Sequence, residues 1–416
     1  RNPWPISSRR GIRVGLGANY RRLWWSSAFG NLGDGIYLVA LPLLALDLTR
    51  SPGLVAGVTF AGSVPWLFFA LPAGAYADRL DRRRTMTTVT LVRVLAIGGL
   101  ALAAWGDMAS IPLLYAVALV LGIGQTFFDT AAQSLMPALV DRDDLSTANA
   151  RLFAVELTMN QFAGPPAGGA LAARSMGLSL GSSALSYLLA AIPLARMQGS
   201  FRPVRDTPAG KLRTEIAEGL RYVWGNRVLR TFALLLGVMN LVSTAMFAVF
   251  PLFAVDPGPM GLSEAGFGLL LTSLTVGALV ATAVTARIEK RVGPAPVLVV
   301  AVVFIGLPFF VPYATPSVAA NAAAFAVMSG AGVAWNVVTV SLRQRITPDH
   351  LLGRMNATYR LLGWGGMPIG AALGGLVGEV FGVRMVFLLA GLESLLLVPV
   401  AALVLTPRAL AEAETA

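Results

Sequence analysis

The chain has 416 residues, 56% of them hydrophobic and 13% charged. A soluble domain carries about 25% charged residues, so the composition excludes a water-soluble globular protein. Cysteine is absent, which excludes disulfides, thiolate metal sites and cysteine nucleophiles.

A membrane-crossing helix needs roughly 20 mostly apolar residues. Twelve stretches qualify: 23–46, 54–77, 85–105, 111–132, 152–173, 178–196, 230–253, 265–286, 295–312, 318–340, 357–379 and 384–405. The long uncharged run from Val292 to Leu342 divides at Pro312–Ser317, where paired prolines and small polar residues mark a turn. The fold class expected is all-α and membrane-spanning, with twelve transmembrane helices in two six-helix bundles. Residues 1–22 form a basic arm without a cleavable signal peptide. Residues 23–196 and 230–405 form the two bundles, with a linker at 197–229 and a tail at 406–416.

The net charge of +11 would suit nucleic acid until the charges are placed along the chain. With the N-terminus inside, twenty-eight of the 32 basic residues fall at cytoplasmic ends. Only Arg50, Arg174 and Arg384 fall outside, and Arg93 lies within a span. Cytoplasmic loops concentrate Lys and Arg, so both termini are expected in the cytoplasm and nucleic acid is not needed to explain the charge. Arginine outnumbers lysine thirty to two, the bias of a GC-rich bacterial genome.

The linker opens with Gly199, Pro203 and Pro208, and then places Leu212, Ile216, Leu220 and Val223 at helical spacing. Two readings fit: an amphipathic helix lying on the membrane surface, or one packed on the bundle.

The two halves echo one another. Gln133-Ser-Leu-Met-Pro137, Asn149-Ala150 and Gly168-Gly169 are matched in order by Gln344-Arg-Ile-Thr-Pro348, Asn356-Ala357 and Gly374-Gly375. Parallel six-helix repeats are a construction of facilitator-type transporters.

Between the second and third spans, Gly74-Ala-Tyr-Ala-Asp78-Arg79-Leu-Asp81-Arg82-Arg83 resembles the signature of the major facilitator superfamily. The fifth span's Gly164-Pro165-Pro-Ala-Gly168-Gly169 resembles the motif of its drug:proton antiporter branch. Gly122-Ile-Gly-Gln125-Thr-Phe-Phe-Asp129 and Leu220-Arg-Tyr-Val223 are similar to the macrolide-efflux and enterobactin-exporter-like group. The resemblance covers about residues 20–405. Asp81 stands where that signature often has glycine, and the second half keeps only Arg287-Ile-Glu-Lys290-Arg291 of it.

This resemblance implies an inner gate formed by Gly74, Asp78, Arg79, Arg82 and Arg83, although the arginines could merely anchor the loop to anionic lipid. It also implies that the first, fourth, seventh and tenth spans line the cavity. The candidates on them are Asn31, Tyr37, Gln125, Phe128, Asn240, Phe247, Trp335 and Asn336, with Met239 and Met246 as adaptable apolar walls. Gly164, Pro165, Gly168 and Gly169 form a small-residue face that allows close helix approach in lipid.

Acids inside a membrane are costly and functional by default. Asp34 lies about 16 Å into the first span at 1.5 Å per residue, near mid-membrane, where it could exchange a proton or a cationic substrate. Glu156 and Asp129 are the next candidates for proton coupling, and Glu393 is the weakest. Arg93 would balance one of the acids, with Asp129 a candidate partner. Arg360 is expected at a gate or interface, which leaves no clear cavity arginine and favours neutral or cationic cargo.

No phosphate-binding loop occurs and His350 is the sole histidine, so neither an ATP site nor a histidine metal cluster is expected. The reading is a non-enzymatic secondary transporter without cofactors: a monomeric, proton-coupled exporter of amphiphilic small molecules in a bacterial inner membrane. Siderophore export is the alternative, followed by nutrient import, lipid flipping and a non-transporting sensor or scaffold.

Overall fold

The computed structural model describes residues 16–77, 80–141, 144–199, 201 and 212–415. Helices account for nearly all of it. The first half contains α1 (Ala18–Leu48), α2 (Pro52–Ala77), α3 (Arg82–Trp105) and α4 (Ile111–Leu135). It continues with α5 (Leu145–Glu156), a π-helical segment (Leu157–Ala163), α6 (Gly164–Ala172) and α7 (Met176–Ala195). After α8 (Leu212–Gly225), the second half contains α9 (Arg227–Ala254), α10 (Glu264–Val292), α11 (Pro294–Gly306), α12 (Phe310–Ala314) and α13 (Val318–Ile346). It ends with α14 (Asp349–Phe381), α15 (Val383–Val404) and the short α16 (Pro407–Thr415).

Eleven helical stretches among the described residues are long and apolar enough to cross a membrane, the ninth span being α11 and α12 run together. The remaining expected span, the fifth, is the continuous composite α5–π–α6. Its irregularity has a local cause. Pro165 and Pro166 supply no backbone N–H, so the preceding turn cannot keep an unbroken i→i−4 ladder, and the backbone widens into a π turn.

Several helices outrun the apolar stretches that announce them. α1 begins at Ala18, α5 at Leu145 and α14 at Asp349, so Asn149 and Asn356 lie in helices rather than in loops. His350, which lies between the expected spans 318–340 and 357–379, is likewise in the first turn of α14. A 33-residue helix such as α14 is about 50 Å long at 1.5 Å per residue, well beyond a hydrocarbon core of about 30 Å. An apolar window registers only the part within lipid. Sharp turns separate consecutive helices in the second half. Gly293 (φ 84°) and Gly382 (φ 85°) stop α10 and α14 in the left-handed region, which glycine enters without steric cost.

Within the first half, α3 packs on α7 and α4, α1 on α7 and α6, and α2 on α4. Within the second, α9 packs on α14 and α15, α10 on α13, and α11 on α13 and α15. The halves meet along two seams, α2 against α14 and α6 against α10.

The linker helix is packed rather than laid on lipid. α8 lies on α14, where Glu218 pairs with Arg354 (2.5 Å) and the Tyr222 hydroxyl donates to the Ile346 carbonyl (3.0 Å). Val223 is fully buried. The tail also folds: Leu410 of α16 is buried, and Glu414 meets Arg345 at 3.4 Å.

Asp81, the departure from the resembling signature, caps α3. Its carboxylate accepts from the Arg84 amide (3.0 Å) and from the Phe201 amide (3.0 Å), tying the start of α3 to the segment after α7. Burial pushes this carboxyl up. The two amides, with the Arg83 and Arg84 guanidiniums, outweigh that effect and hold it below the ordinary carboxylate range. A depressed folded-state value means that its stabilisation is fully present above about pH 4 and is lost as pH falls through the lowered value. Asp81→Ala should lower the unfolding midpoint at pH 7 by the equivalent of about 1–2 kcal/mol, as for a lost N-cap. The gap to wild type should close below about pH 4, and thermal unfolding followed by circular dichroism at both pH values reads it.

Candidate functional site

A cavity of about 640 Å³ opens in the first half, bounded by α1, α3, α4, α5 and α7. Asp34 on α1 is its centre. The Tyr187 hydroxyl of α7 donates to Asp34 Oδ1 at 2.5 Å, and Arg93 Nη1 of α3 stands 3.6 Å from the same oxygen. Arg93 is almost wholly buried (4% exposed), and this pairing compensates the cost of burying its charge.

Arg93 also reaches α4, where Nη2 donates to Gln125 Oε1 at 2.5 Å. Gln125 Nε2 then donates to Asp129 Oδ1 at 2.8 Å. Of the candidate partners of Arg93, Asp34 takes the direct contact, and Asp129 is reached only through the Gln125 amide. Flanking rings complete the cage: the Arg93 guanidinium lies 5.4 Å from the centroid of Phe128 and 5.5 Å from that of Tyr187. Glu156 lines the same cavity without joining the network. All three predicted acids therefore face one space, together with Asn31, Gln125 and Phe128. Glu393 does not: it lies on the exposed face of α15.

The second half holds a companion cavity of about 570 Å³, lined by Asn240, Trp335 and Asn336 among the candidates and by Met239. Trp364 of α14 stands on the wall of both cavities. It meets Trp66 of α2 edge-to-face across the seam, with centroids 4.3 Å apart. Arg360 lies 4.8 Å above the Trp364 ring and within electrostatic reach of Asp129 in the other half. Tyr37 and Phe247 line a third, mainly apolar cavity of about 590 Å³, which Gln125 also borders. Met246 is corrected: it is fully buried in the core and lines none of the three.

Sequence reasoning missed Tyr187, the strongest partner of Asp34, and Arg343, which lines the second-half cavity while 8% exposed. The expectation of no cavity arginine is overturned by Arg343 and Arg360. Arg360 is expected within its span but at a gate or interface, and Arg343 counts among the basic residues at cytoplasmic ends; α13 instead runs on to Ile346, and the connection to α14 shrinks to Thr347 and Pro348.

One end of the molecule is sealed. Glu379 of α14 accepts from the Ser51 hydroxyl (2.7 Å) and from the Gly53 amide (3.0 Å) at the start of α2. Arg50 donates to the Asp256 carbonyl at 3.0 Å. The Asp34 cavity extends the other way, towards Leu23, Met136 and Leu145.

The helix-five motif is a packing surface. Gly164, Pro165, Gly168 and Gly169 are all buried. A Cβ on Gly164 would stand 2.5 Å from Gly35 Cα, one on Gly168 would stand 2.7 Å from the Ile36 carbonyl, and one on Gly169 would meet the Glu264 backbone of α10. Of the gate residues, Asp78 and Arg79 lie outside the described residues, and Gly74 is helical. Arg82 is half-buried, and Arg83 donates to the Met197 carbonyl at 2.5 Å.

Residues 17–416 match the transmembrane secretion effector family, across nearly the whole chain. The chain belongs to that family of major facilitator transporters. Among its relatives, the multidrug efflux pump Tap of Mycolicibacterium fortuitum is 27% identical over 381 residues, covering 88% of this chain and 90% of the relative. The enterobactin exporter EntS of Salmonella typhi is 25% identical over 350 residues, covering 83% and 82%. The same fold occurs in the nucleoside transporter NupG, with a TM-score of 0.73 at 13% identity over 92% of this chain and 98% of that one. A bacterial homologue of the lysosomal transporter Spinster gives 0.71 at 15% identity over 97% and 99%. The chain is accordingly a multi-pass membrane transporter of small molecules.

Proposed function

We propose that this transporter is a proton-coupled exporter of amphiphilic small molecules. It works as a monomer in a bacterial cytoplasmic membrane with both termini inside. The observation that carries the reading is the Tyr187–Asp34–Arg93–Gln125–Asp129 chain exposed to a cavity whose opposite end is sealed. The concentration of arginines at the other end supports a sealed end facing outside, and on this reading the state described opens inward. The export direction is supported by the helix-five motif and by relatives named as an efflux pump and an exporter.

In the cycle, substrate enters from the cytoplasm and displaces a proton from Asp34, with Asp129 and Glu156 as neighbouring proton sites. Loss of the seal at Glu379 and closure at the opposite end, by Asp78, Arg79, Arg82 and Arg83 with Gly74 in the helix that leads to them, expose the substrate outside. Protonation from outside then releases it. The close α6–α1 and α6–α10 contacts keep the fifth span leak-tight as the halves rock. A siderophore exporter is the second reading, favoured by the relative that carries that name.

Two measurements follow. In proteoliposomes with an imposed pH gradient, the wild type should accumulate rhodamine B against its gradient, and an uncoupler should abolish this. Folded protein without gradient-driven movement would contradict the reading. For the seal, the chain's lack of cysteine allows a single reporter, Thr59→Cys, which lines the apolar cavity towards the closed end. Adding Glu379→Ala should raise its labelling by an impermeant maleimide applied outside severalfold, while unchanged labelling would remove Glu379 from the gate.

A further inference from the structure

The second-half cavity holds a cation that nothing in the transport cycle above uses. Arg343 on α13 is 8% exposed, yet among the described residues no carboxylate stands within ion-pair distance of it. Its partners are neutral. Nε donates to the Thr339 carbonyl at 3.3 Å, Nη1 donates to Asn356 Oδ1 at 3.2 Å, and the guanidinium lies 3.7 Å from the Tyr359 ring centroid. A buried charge is ordinarily paired, and an arginine held on an aromatic face presents its free edge as a fork for an oxyanion. Arg360 adds a second positive charge to the same wall. Across Trp364, the first-half cavity has the opposite sign: Asp34, Asp129 and Glu156 outnumber Arg93.

We propose that the Arg343 pocket is an anion subsite, and that the substrate class is a dipolar amphiphile. Its carboxylate, or a like oxyanion, sits on Arg343, while its cationic or neutral end faces the Asp34 side. Asn356 orients the guanidinium, and Asn336 and Asn240 supply amide groups beside it. The aromatic body of such a molecule lies along Trp335 of the same cavity and Trp364 on the wall shared by the two. This rests on the transport reading, whose substrate it specifies.

The test uses two dyes that differ only at the acid: rhodamine B, a zwitterion with a free carboxylate, and its ethyl ester, a cation. Binding to the solubilised full chain is read by fluorescence anisotropy, with empty micelles subtracted. Wild type should bind rhodamine B at least tenfold tighter than the ester. Arg343→Gln should erase that preference by weakening rhodamine B alone, and Arg343→Lys should restore part of it. Asn356→Asp keeps the arginine but places a carboxylate beside it, and should weaken rhodamine B in the same way, which guards against a misfolded Arg343 variant.

Equal affinity of wild type for both dyes, or parallel loss of both in the variants, would overturn the subsite. Displacement of rhodamine B by phosphatidylglycerol and not phosphatidylcholine would overturn the substrate class and give the anion site to a lipid headgroup. Charge-selective binding without gradient-driven transport would sink the exporter reading and leave the subsite standing. Transport with no charge selectivity would do the reverse.

Discussion

Asp34→Asn should abolish gradient-driven accumulation of substrate while leaving energy-independent exchange of labelled for unlabelled substrate near the wild-type rate. Asparagine keeps the shape of the carboxylate and still accepts the Tyr187 hydroxyl hydrogen bond, so the cavity wall survives. What disappears is the charge that faces Arg93 at 3.6 Å and the group that takes and releases a proton. Breaking a buried ion pair by removing one partner costs about 3–5 kcal/mol where the other is left uncompensated. Here the Gln125 amide oxygen and the Phe128 and Tyr187 rings still hold the guanidinium, so the loss should fall below that range. Asp34→Leu forfeits the hydrogen bond as well and should reduce the yield of folded protein. Full gradient-driven transport by Asp34→Asn would exclude Asp34 from coupling, and loss of exchange together with accumulation would show that the residue binds substrate or holds the fold.

Gly164→Val should remove most folded, transport-competent protein. Its Cβ would lie 2.5 Å from Gly35 Cα and 2.8 Å from the Met159 carbonyl, so the obstacle is backbone and cannot be relieved by a rotamer change. Transmembrane helices gain association largely from such close packing, and overpacking typically costs about 1–3 kcal/mol. A Cβ on Gly35 meets the same space, 2.8 Å from Gly164 Cα. Once one substitution has parted the helices the second has less left to disrupt, so Gly35→Ala with Gly164→Ala should cost less than the sum of the two. Unfolding midpoints of the two singles and the double give the comparison, and strict additivity would mean that α1 and α6 are not in direct opposition.

Much of the fold was legible because the hydrocarbon core imposes a length on every apolar run. The twelve expected spans correspond to the observed helices, and even the split at Pro312–Ser317 straddles the end of α12 at Ala314. The polar site was legible in part for the same reason: Asp34, Asp129 and Arg93 stand out where charge is expensive. Residues of ordinary type did not stand out. Tyr187 reads as one more apolar residue of its span, and only the α1–α7 packing brings it to Asp34. Arg343 carried a charge but was hidden by the assumption that arginines near a loop face water. Helix α13 runs on to Ile346, so Arg343 stays inside the bundle, hydrogen-bonded to Asn356 of the next helix. Pairing across helices is a property of the packed bundle, and one strand of sequence does not contain it.

Substrate-induced proton release tests the coupling at Asp34 most directly. Solubilised protein in weakly buffered solution between pH 5 and 8 is mixed with rhodamine B, and the pH change is followed with a soluble indicator. Wild type should release up to one proton per molecule bound at the lower end of that range, and Asp34→Asn should bind dye with little or no release. Equal release by both proteins, or binding by the wild type without release at any pH, would contradict proton–substrate exchange at Asp34.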